Sequence, residues 1–164
     1  MAFYEAAGGS GPRMVVCHPK LPIIYVLNEL SASISVLFWD KKQMRLELIQ
    51  NMNTLDKPLK SNLAAGLILS PDGRHLYSTN RGEDTVVAYE LDEKGMPRQI
   101  QKILTEGRTP RGICISGNGK WILVGNQESD FVIQYYRDPE TGLLRGHARI
   151  PVPTPVSITM VKKK

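Results

Sequence analysis

The feature that most limits how this chain can fold is an internal repeat. Residues 11–40, 63–92 and 109–138 match one another in order. An offset of 52 carries Pro19 to Pro71, Tyr25 to Tyr77 and Asn28 to Asn80. An offset of 46 carries Ser70 to Ser116, Gly73 to Gly119, Asn80 to Asn126, Tyr89 to Tyr135 and Asp92 to Asp138. A chain written this way stacks copies of one supersecondary unit, each burying its apolar surface against the next. Periods of this length belong to propeller blades and to arrays of paired helices.

The runs inside each repeat decide between the two. They are short and rich in β-branched and aromatic residues, as in Ile23-Ile24-Tyr25-Val26-Leu27 and Phe131-Val132-Ile133-Gln134-Tyr135-Tyr136. Turn sequences separate them: Pro71-Asp72-Gly73, Gly117-Asn118-Gly119, Lys94-Gly95 and Thr141-Gly142. This is the grammar of strands and turns, and no run of ten residues carries the helical period. Each unit reads as four strands; in the second they fall near 64–70, 75–79, 85–91 and 99–104. The strands are apolar on both faces, as sheets packed between sheets must be. The sequence therefore predicts an all-β fold, a partial β-propeller of about three four-stranded blades over residues 11–62, 63–108 and 109–153. A fourth repeat begins at Thr154-Pro155, 45 beyond Thr109-Pro110. It predicts one further strand over 154–161, of the kind that closes a ring when joined by strands from an N-terminal half.

The net charge of +5 permits an anionic partner. Lys162, Lys163 and Lys164 form a terminal tail, and the other basic residues are scattered without interleaved aromatics, so no nucleic acid is expected. The first ten residues lack a basic start and a long apolar core, so no secretory leader is expected. No apolar run reaches membrane-spanning length, so no membrane partner is expected either. Cys17 and Cys114 fall in non-neighbouring blades and on opposite strand faces. No disulfide is expected, which suits a reducing, cytoplasmic setting. No spacing suggests a metal or cofactor.

Adjacent strands of a blade run antiparallel, so the start of the first strand and the end of the second lie on one face of the disc. The first of these places carries Arg13, Ala65, Arg111 and Val156; the second carries Asn28, Asn80 and Asn126. The residue after the asparagine changes, from Glu29 to Arg81 to Gln127. Positions that vary between blades and carry long polar side chains can serve a ligand held off-centre at the channel mouth. Turn chemistry is the commoner use for the asparagines, and an inter-blade salt-bridge network is the structural reading of Arg13, Glu29 and Arg81. His18 and His75 fall at the first turn of their blades and are expected on the surface. His147 falls in an outer strand and carries no signal.

These same residues carry a family resemblance. Gly11-Pro12-Arg13, Tyr25-Val26-Leu27-Asn28-Glu29-Leu30, the run Ser70-Pro71-Asp72-Gly73-Arg74-His75-Leu76-Tyr77 leading into Asn80-Arg81-Gly82, Thr109-Pro110-Arg111-Gly112 and Pro153-Thr154-Pro155-Val156 together resemble the seven-bladed propeller lactonases. The likeness covers nearly the whole chain beyond Ser10 and corresponds to about half of the family's length, its C-terminal half. That family includes bacterial 6-phosphogluconolactonases and fungal carboxymuconate-lactonising cyclases. The resemblance implies catalytic roles for Glu29, Arg81 and Arg13, with Arg111, Gln127 and Asn80 as substrate-binding candidates. Met14 stands where the family usually has histidine, and Gly66 where it usually has glutamate.

The reaction so implied is lactone hydrolysis. Glu29 would be the base that activates water, and Arg13 and Arg81 would hold the oxyanion or a substrate phosphate. A cyclase of the same family, with Glu29 moving a proton at carbon, is the alternative. A non-catalytic propeller fragment that acts as a binding module is the other. A calcium-dependent lactonase would need an acidic channel, and only Glu29 supplies one acid at these positions. An anionic small molecule is the expected ligand, and self-association or pairing with an N-terminal half is the expected behaviour of the chain alone.

Overall fold

The computed structural model describes residues 3–161. They form three four-stranded antiparallel sheets. The first holds β1 (Pro12–Cys17), β2 (Ile23–Asn28), β3 (Ser33–Asp40) and β4 (Arg45–Asn53). The second holds β5 (Leu63–Leu69), β6 (His75–Arg81), β7 (Thr85–Leu91) and β8 (Pro97–Leu104). The third holds β9 (Pro110–Ile115), β10 (Trp121–Asn126), β11 (Phe131–Arg137) and β12 (Leu144–Pro151). In each, strands pair in chain order, and β1, β5 and β9 gather along the inner edge. The chain is a partial β-propeller.

The strands form where they do because the turns are built from side chains that bond the backbone. Ser70 Oγ accepts from the His75 amide at 2.9 Å, and Asp72 Oδ1 accepts from the Arg74 amide at 3.0 Å. Ser116 and Asn118 repeat both bonds on Trp121 and Lys120, at 3.0 and 3.1 Å. In the first sheet His18 replaces the serine. Its Nδ1 accepts from the amides of Lys20 and Leu21, and its Nε2 lies 3.0 Å from the Gly73 carbonyl of the next blade. His18 is therefore a half-buried turn cap, not the plain surface residue its position suggested.

Two apolar layers hold the sheets together. Ile23, Tyr25, Leu27, Ile34 and Val36 pack against Ala64, Leu67, Leu76, Val87 and Tyr89. Tyr77, Val86 and Ala88 pack against Ile122, Val124, Ile133 and Tyr135. Each fully buried Leu or Ile contributes about 1.5–3 kcal/mol, more than an exposed ion pair at about 0–1 kcal/mol. Apolar burial therefore supplies the adhesion between blades, and polar contacts set how the blades register.

Those contacts repeat. The Tyr25 hydroxyl donates to the Gly95 carbonyl at 2.8 Å, and the Tyr77 hydroxyl to the Gly142 carbonyl at 2.9 Å. Each reaches from the second strand of one blade to the outer turn of the next. Asn80 and Asn126 reach the other way: their Nδ2 groups donate to the carbonyls of Thr54 and Thr105, just past the outer strand of the preceding blade. Thr54 Oγ1 also donates to Asn80 Oδ1 at 2.7 Å.

Between the second and third sheets lies a buried charge. Arg137 is 1% exposed. Its guanidinium donates to the Tyr77 hydroxyl, the Gly119 carbonyl and Asp72 Oδ2, and lies 2.7 Å from His75 Nδ1. His75 is itself 1% exposed, which corrects its expected surface position. Gly142 makes room for it, since a Cβ there would stand 2.1 Å from the imidazole. His147 lies in β12, exposed, with its ring 4.8 Å from that of Trp121.

The segment expected as a strand over 154–161 has no partner strand among the described residues, so residues 152–161 carry no ladder. They nevertheless occupy the place of a next first strand. Ser157 and Val156 crowd Gly112, and Pro155 crowds Gly125, just as Ile113 of the third blade crowds Gly66 of the second. Cys17 is exposed and Cys114 half-buried, both as free thiols.

The Arg137 cluster makes stability depend on acid. Burial, with the Arg137 charge, pushes the His75 pKa down from 6.5 to about 4. The unfolded chain then binds a proton that the fold excludes, so stability falls as the pH drops from 6.5 to 4. The loss is on the order of 2–3 kcal/mol at about 1.4 kcal/mol per pKa unit. Thermal unfolding followed by circular dichroism between pH 7 and 4 should show this decline, and His75→Asn should flatten it.

Candidate functional site

Where each first strand begins, the ladder carries a bulge. Pro12 and Met14 pair with Asn28 and Leu27, so Arg13 is the extra residue. Pro110 and Gly112 pair with Asn126 and Gly125, so Arg111 is the extra residue. In the second sheet Ala65 and Gly66 fall between the paired residues Ala64 and Leu67. A bulge turns its unpaired side chain away from the sheet's own alternation. This is how β1 and β9 each present an arginine outside their strand's alternation.

Arg13 Nη1 donates to Glu29 Oε2 at 3.0 Å, and Arg13 Nε donates to the Ala65 carbonyl at 3.0 Å. Arg81 Nη2 donates to Glu29 Oε1. Both carboxylate oxygens of Glu29 are thus held by guanidinium groups, one from its own blade and one from the next. The Glu29 backbone is fixed as well: its amide donates to the Gly11 carbonyl at 2.7 Å, and its carbonyl accepts from the Ala64 amide at 3.0 Å. The side chains are half-buried, at 24% exposure for Glu29 and 14% for Arg81. Burial alone would raise the Glu29 pKa, but the hydrogen bonds and charges of Arg81 and Arg13 hold it below the ordinary carboxylate value. Glu29 is an ionised carboxylate at neutral pH. The Nε of Arg81 is buried without a partner among the described residues.

Arg13 also lines a hollow of about 320 Å³ between the first strands. Met14, Gly66, Arg111, Val156 and Ser157 form other parts of its wall. Glu29 and Arg81 do not line it, and reach it only through Arg13. On its far side Arg111 Nη1 donates to Gln127 Oε1 at 3.1 Å. This pair repeats Arg13–Glu29 one offset of 98 later with a neutral acceptor. Among the described residues Arg111 has no carboxylate partner, so the hollow carries uncompensated positive charge.

Five of the six sequence candidates therefore gather at two linked spots. The sixth, Asn80, does not join them. It is fully buried, and its amide is used on Thr54, Glu83 and Thr85. It is a clip between blades, a long-range version of the turn role anticipated for it. Sequence reasoning missed the wall supplied by Ser157 and Ile158, and the bulges that aim the arginines. It also missed why position 66 is glycine: a Cβ there would stand 2.4 Å from Ile113 of the next blade. Among the described residues no three acidic, histidine or cysteine side chains are grouped to hold a metal.

The three blades form a partial ring with an arginine-framed hollow where the first strands converge. Residues 1–160 match the family described as "Lactonase, 7-bladed beta-propeller", and the chain belongs to that family. It is 30% identical over 145 residues to the 6-phosphogluconolactonase of Cronobacter sakazakii, covering 88% of this chain and 44% of that protein. It is 35% identical over 140 residues to the 6-phosphogluconolactonase of Formosa agariphila, covering 84% and 39%. The structure of the periplasmic gluconolactonase of Pseudomonas aeruginosa superposes with a TM-score of 0.85 at 30% identity, covering 93% of this chain and 43% of that one. The chain spans less than half the length of these relatives.

The glycine at 66 yields a test of this packing. Gly66→Ala should destabilise the chain by about 1–3 kcal/mol through overpacking against Ile113. Ile113→Ala, which removes the crowding Cγ2, should cost less in the Gly66→Ala chain than in the parent, read as a non-additive double-mutant cycle in urea unfolding.

Proposed function

We propose that these three blades carry the reactive face of a lactone hydrolase acting on an anionic sugar lactone, of the 6-phosphogluconolactonase type. The observation that carries the reading is the Arg13–Glu29–Arg81 cluster beside a hollow whose other cation, Arg111, lacks a counter-ion. Relatives at about 30% identity bear the name 6-phosphogluconolactonase, which supports the choice of substrate class.

The chemistry needs a base for water and donors for the tetrahedral oxyanion. In the resting arrangement Glu29 is a weak base, because both its oxygens accept from arginine. An anionic substrate changes this. A phosphate or carboxylate competes for Arg13, which faces the hollow, and frees one Glu29 oxygen. Losing one hydrogen bond and one adjacent positive charge raises the basicity of Glu29. Water bound there loses its proton to Glu29 and attacks the lactone carbonyl carbon. The carbonyl oxygen takes the negative charge within reach of the arginines. The ring C–O bond then breaks, and the alkoxide receives the proton to give the open hydroxy acid. Arg111, on the same hollow, holds that group from the other side as a fixed, permanently charged fork.

Lactone hydrolysis, followed by acid release with the chain alone and with the remaining blades of a lactonase supplied, tests the reading. In the active form Arg81→Ala should lower kcat by about 10²–10³. Arg74→Ala should leave it near the parent value, because Arg74 Nη2 donates only to the Glu140 carbonyl at an exposed turn. Equal activity of the two variants would remove Arg81 from the mechanism.

A further inference from the structure

Two of the three blades build the same arginine frame, and the frames differ in the charge of one acceptor. We infer that Gln127 sets which anion the hollow prefers. By holding Arg111 with a neutral amide, it leaves the whole guanidinium charge to the ligand, and so selects a phosphate ester over a carboxylate. The inference rests on the site being the one proposed above. It adds to that site a positioning residue, because Gln127 acts through Arg111 and does not itself line the hollow.

The first observation is that the frames match. Arg13 is the extra residue of the bulge between Pro12 and Met14, and Arg111 of the bulge between Pro110 and Gly112. A residue of positive φ precedes each bulge, Gly11 at +67° and Thr109 at +59°. Threonine enters that region reluctantly, so the third blade keeps the frame even without glycine. The carbonyls of Gly11 and Thr109 then accept from the amides of Glu29 and Gln127, at 2.7 and 3.0 Å. The side chains correspond as well. Arg13 Nη1 donates to Glu29 Oε2 at 3.0 Å, and Arg111 Nη1 to Gln127 Oε1 at 3.1 Å. Since Glu29 occupies this place in the first blade, the frame accepts a carboxylate, and the neutral amide at 127 is not a demand of the fold.

The second observation is that Gln127 does nothing else. Among the described residues its side chain bonds Arg111 alone. It does not cap the short turn Gln127–Ser129 that it begins. There Ser129 Oγ accepts from the Arg108 amide at 2.9 Å.

The third observation is the charge that results. Glu29 is ionised and accepts from two guanidinium groups, so that cluster keeps one positive charge. Arg111 bonds no carboxylate among the described residues and keeps a second. Arg13 and Arg111 face one hollow of about 320 Å³. Two positive charges on one space match a phosphate ester, which carries about −1.5 to −2 at neutral pH. A carboxylate would leave one of them unmatched. Arg111 spends one N–H on Gln127, and the rest of its planar fork can bond two phosphate oxygens side by side. A glutamate at 127 would pair with Arg111 as Glu29 does with Arg13. Bonds between two charged groups are about twice as strong as neutral ones, so a ligand would then have to displace it.

The test reads binding and needs no turnover. 6-Phosphogluconate and gluconate share a sugar chain and a carboxylate and differ by the phosphate. Isothermal titration calorimetry of the full chain with each gives a preference, the ratio of their dissociation constants. The parent should favour the phosphorylated acid by about tenfold or more, as charged hydrogen bonds allow. Gln127→Glu should bring that preference close to one, with the circular dichroism spectrum and Tm near the parent's. Gln127→Met, similar in size and uncharged, should keep the preference within about threefold, the scale of one lost neutral hydrogen bond. Arg111→Gln should lose the preference as Gln127→Glu does, and combining the two should change it little further. A purely structural role for Gln127 would make Gln127→Met the more damaging change, because it deletes the acceptor. No preference in the parent would overturn the inference. So would an equal preference in the parent and Gln127→Glu, or its loss in Gln127→Met. Charge-selective binding by a form that hydrolyses no lactone would remove the proposed reaction and leave the role of Gln127 standing. Hydrolysis of a phosphorylated lactone with the same selectivity in the parent and Gln127→Glu would do the reverse.

Discussion

Everything in this structure depends on the apolar face that each blade lays on the next. A four-stranded sheet apolar on both sides cannot stand alone in water. It is stable only between neighbours, and the burial between neighbours supplies most of the adhesion. Polar groups then decide the angle and slide of one blade on another. The tyrosine hydroxyls clasp the outer turns, and the asparagine amides clasp the chain just past the preceding outer strand. Because one clasp points forward and the other backward along the ring, each junction is held at two separated places.

The candidate site is a by-product of the same junctions. Glu29 belongs to the first blade and Arg81 to the second, and neither could be positioned by its own sheet alone. In a regular strand the side chains alternate between the two faces of the blade, so the direction of each is set by its place in the ladder. The bulges at Arg13 and Arg111 break that alternation. A glycine stands at 66, where Ile113 of the next blade comes too near for a Cβ, and another at 112, where a Cβ would be tight against Val156 and Ser157. Any side chain at position 66 would meet Ile113 of the next blade.

Much of this was legible in the residues, because propeller structure is written in local signals. The turns Ser70-Pro71-Asp72-Gly73 and Ser116-Gly117-Asn118-Gly119 bond within five residues, and the alternation within a strand needs only its neighbours. Arg13, Glu29 and Arg81 could be singled out because the blades repeat and those positions do not. His75 was misplaced for the opposite reason. Its burial depends on Arg137 and Gly142, more than 60 residues away, and no local pattern encodes that encounter. Near 155 the residues are apt for a strand, but a ladder needs a second strand, and among the described residues none lies beside it.

By itself the sequence determined the class of fold, the number of blades and the identity of the variable polar positions, since repetition exposes both what every blade needs and what one blade alone has. The tertiary structure alone decided which of those polar residues meet. It set Asn80 aside as a clip and joined Glu29 to two arginines at once. It also left Arg111 facing a hollow beside a neutral glutamine. Charge pairing depends on distances of a few ångströms between blades, and spacing along a chain carries no record of those distances until apolar burial has brought the blades together.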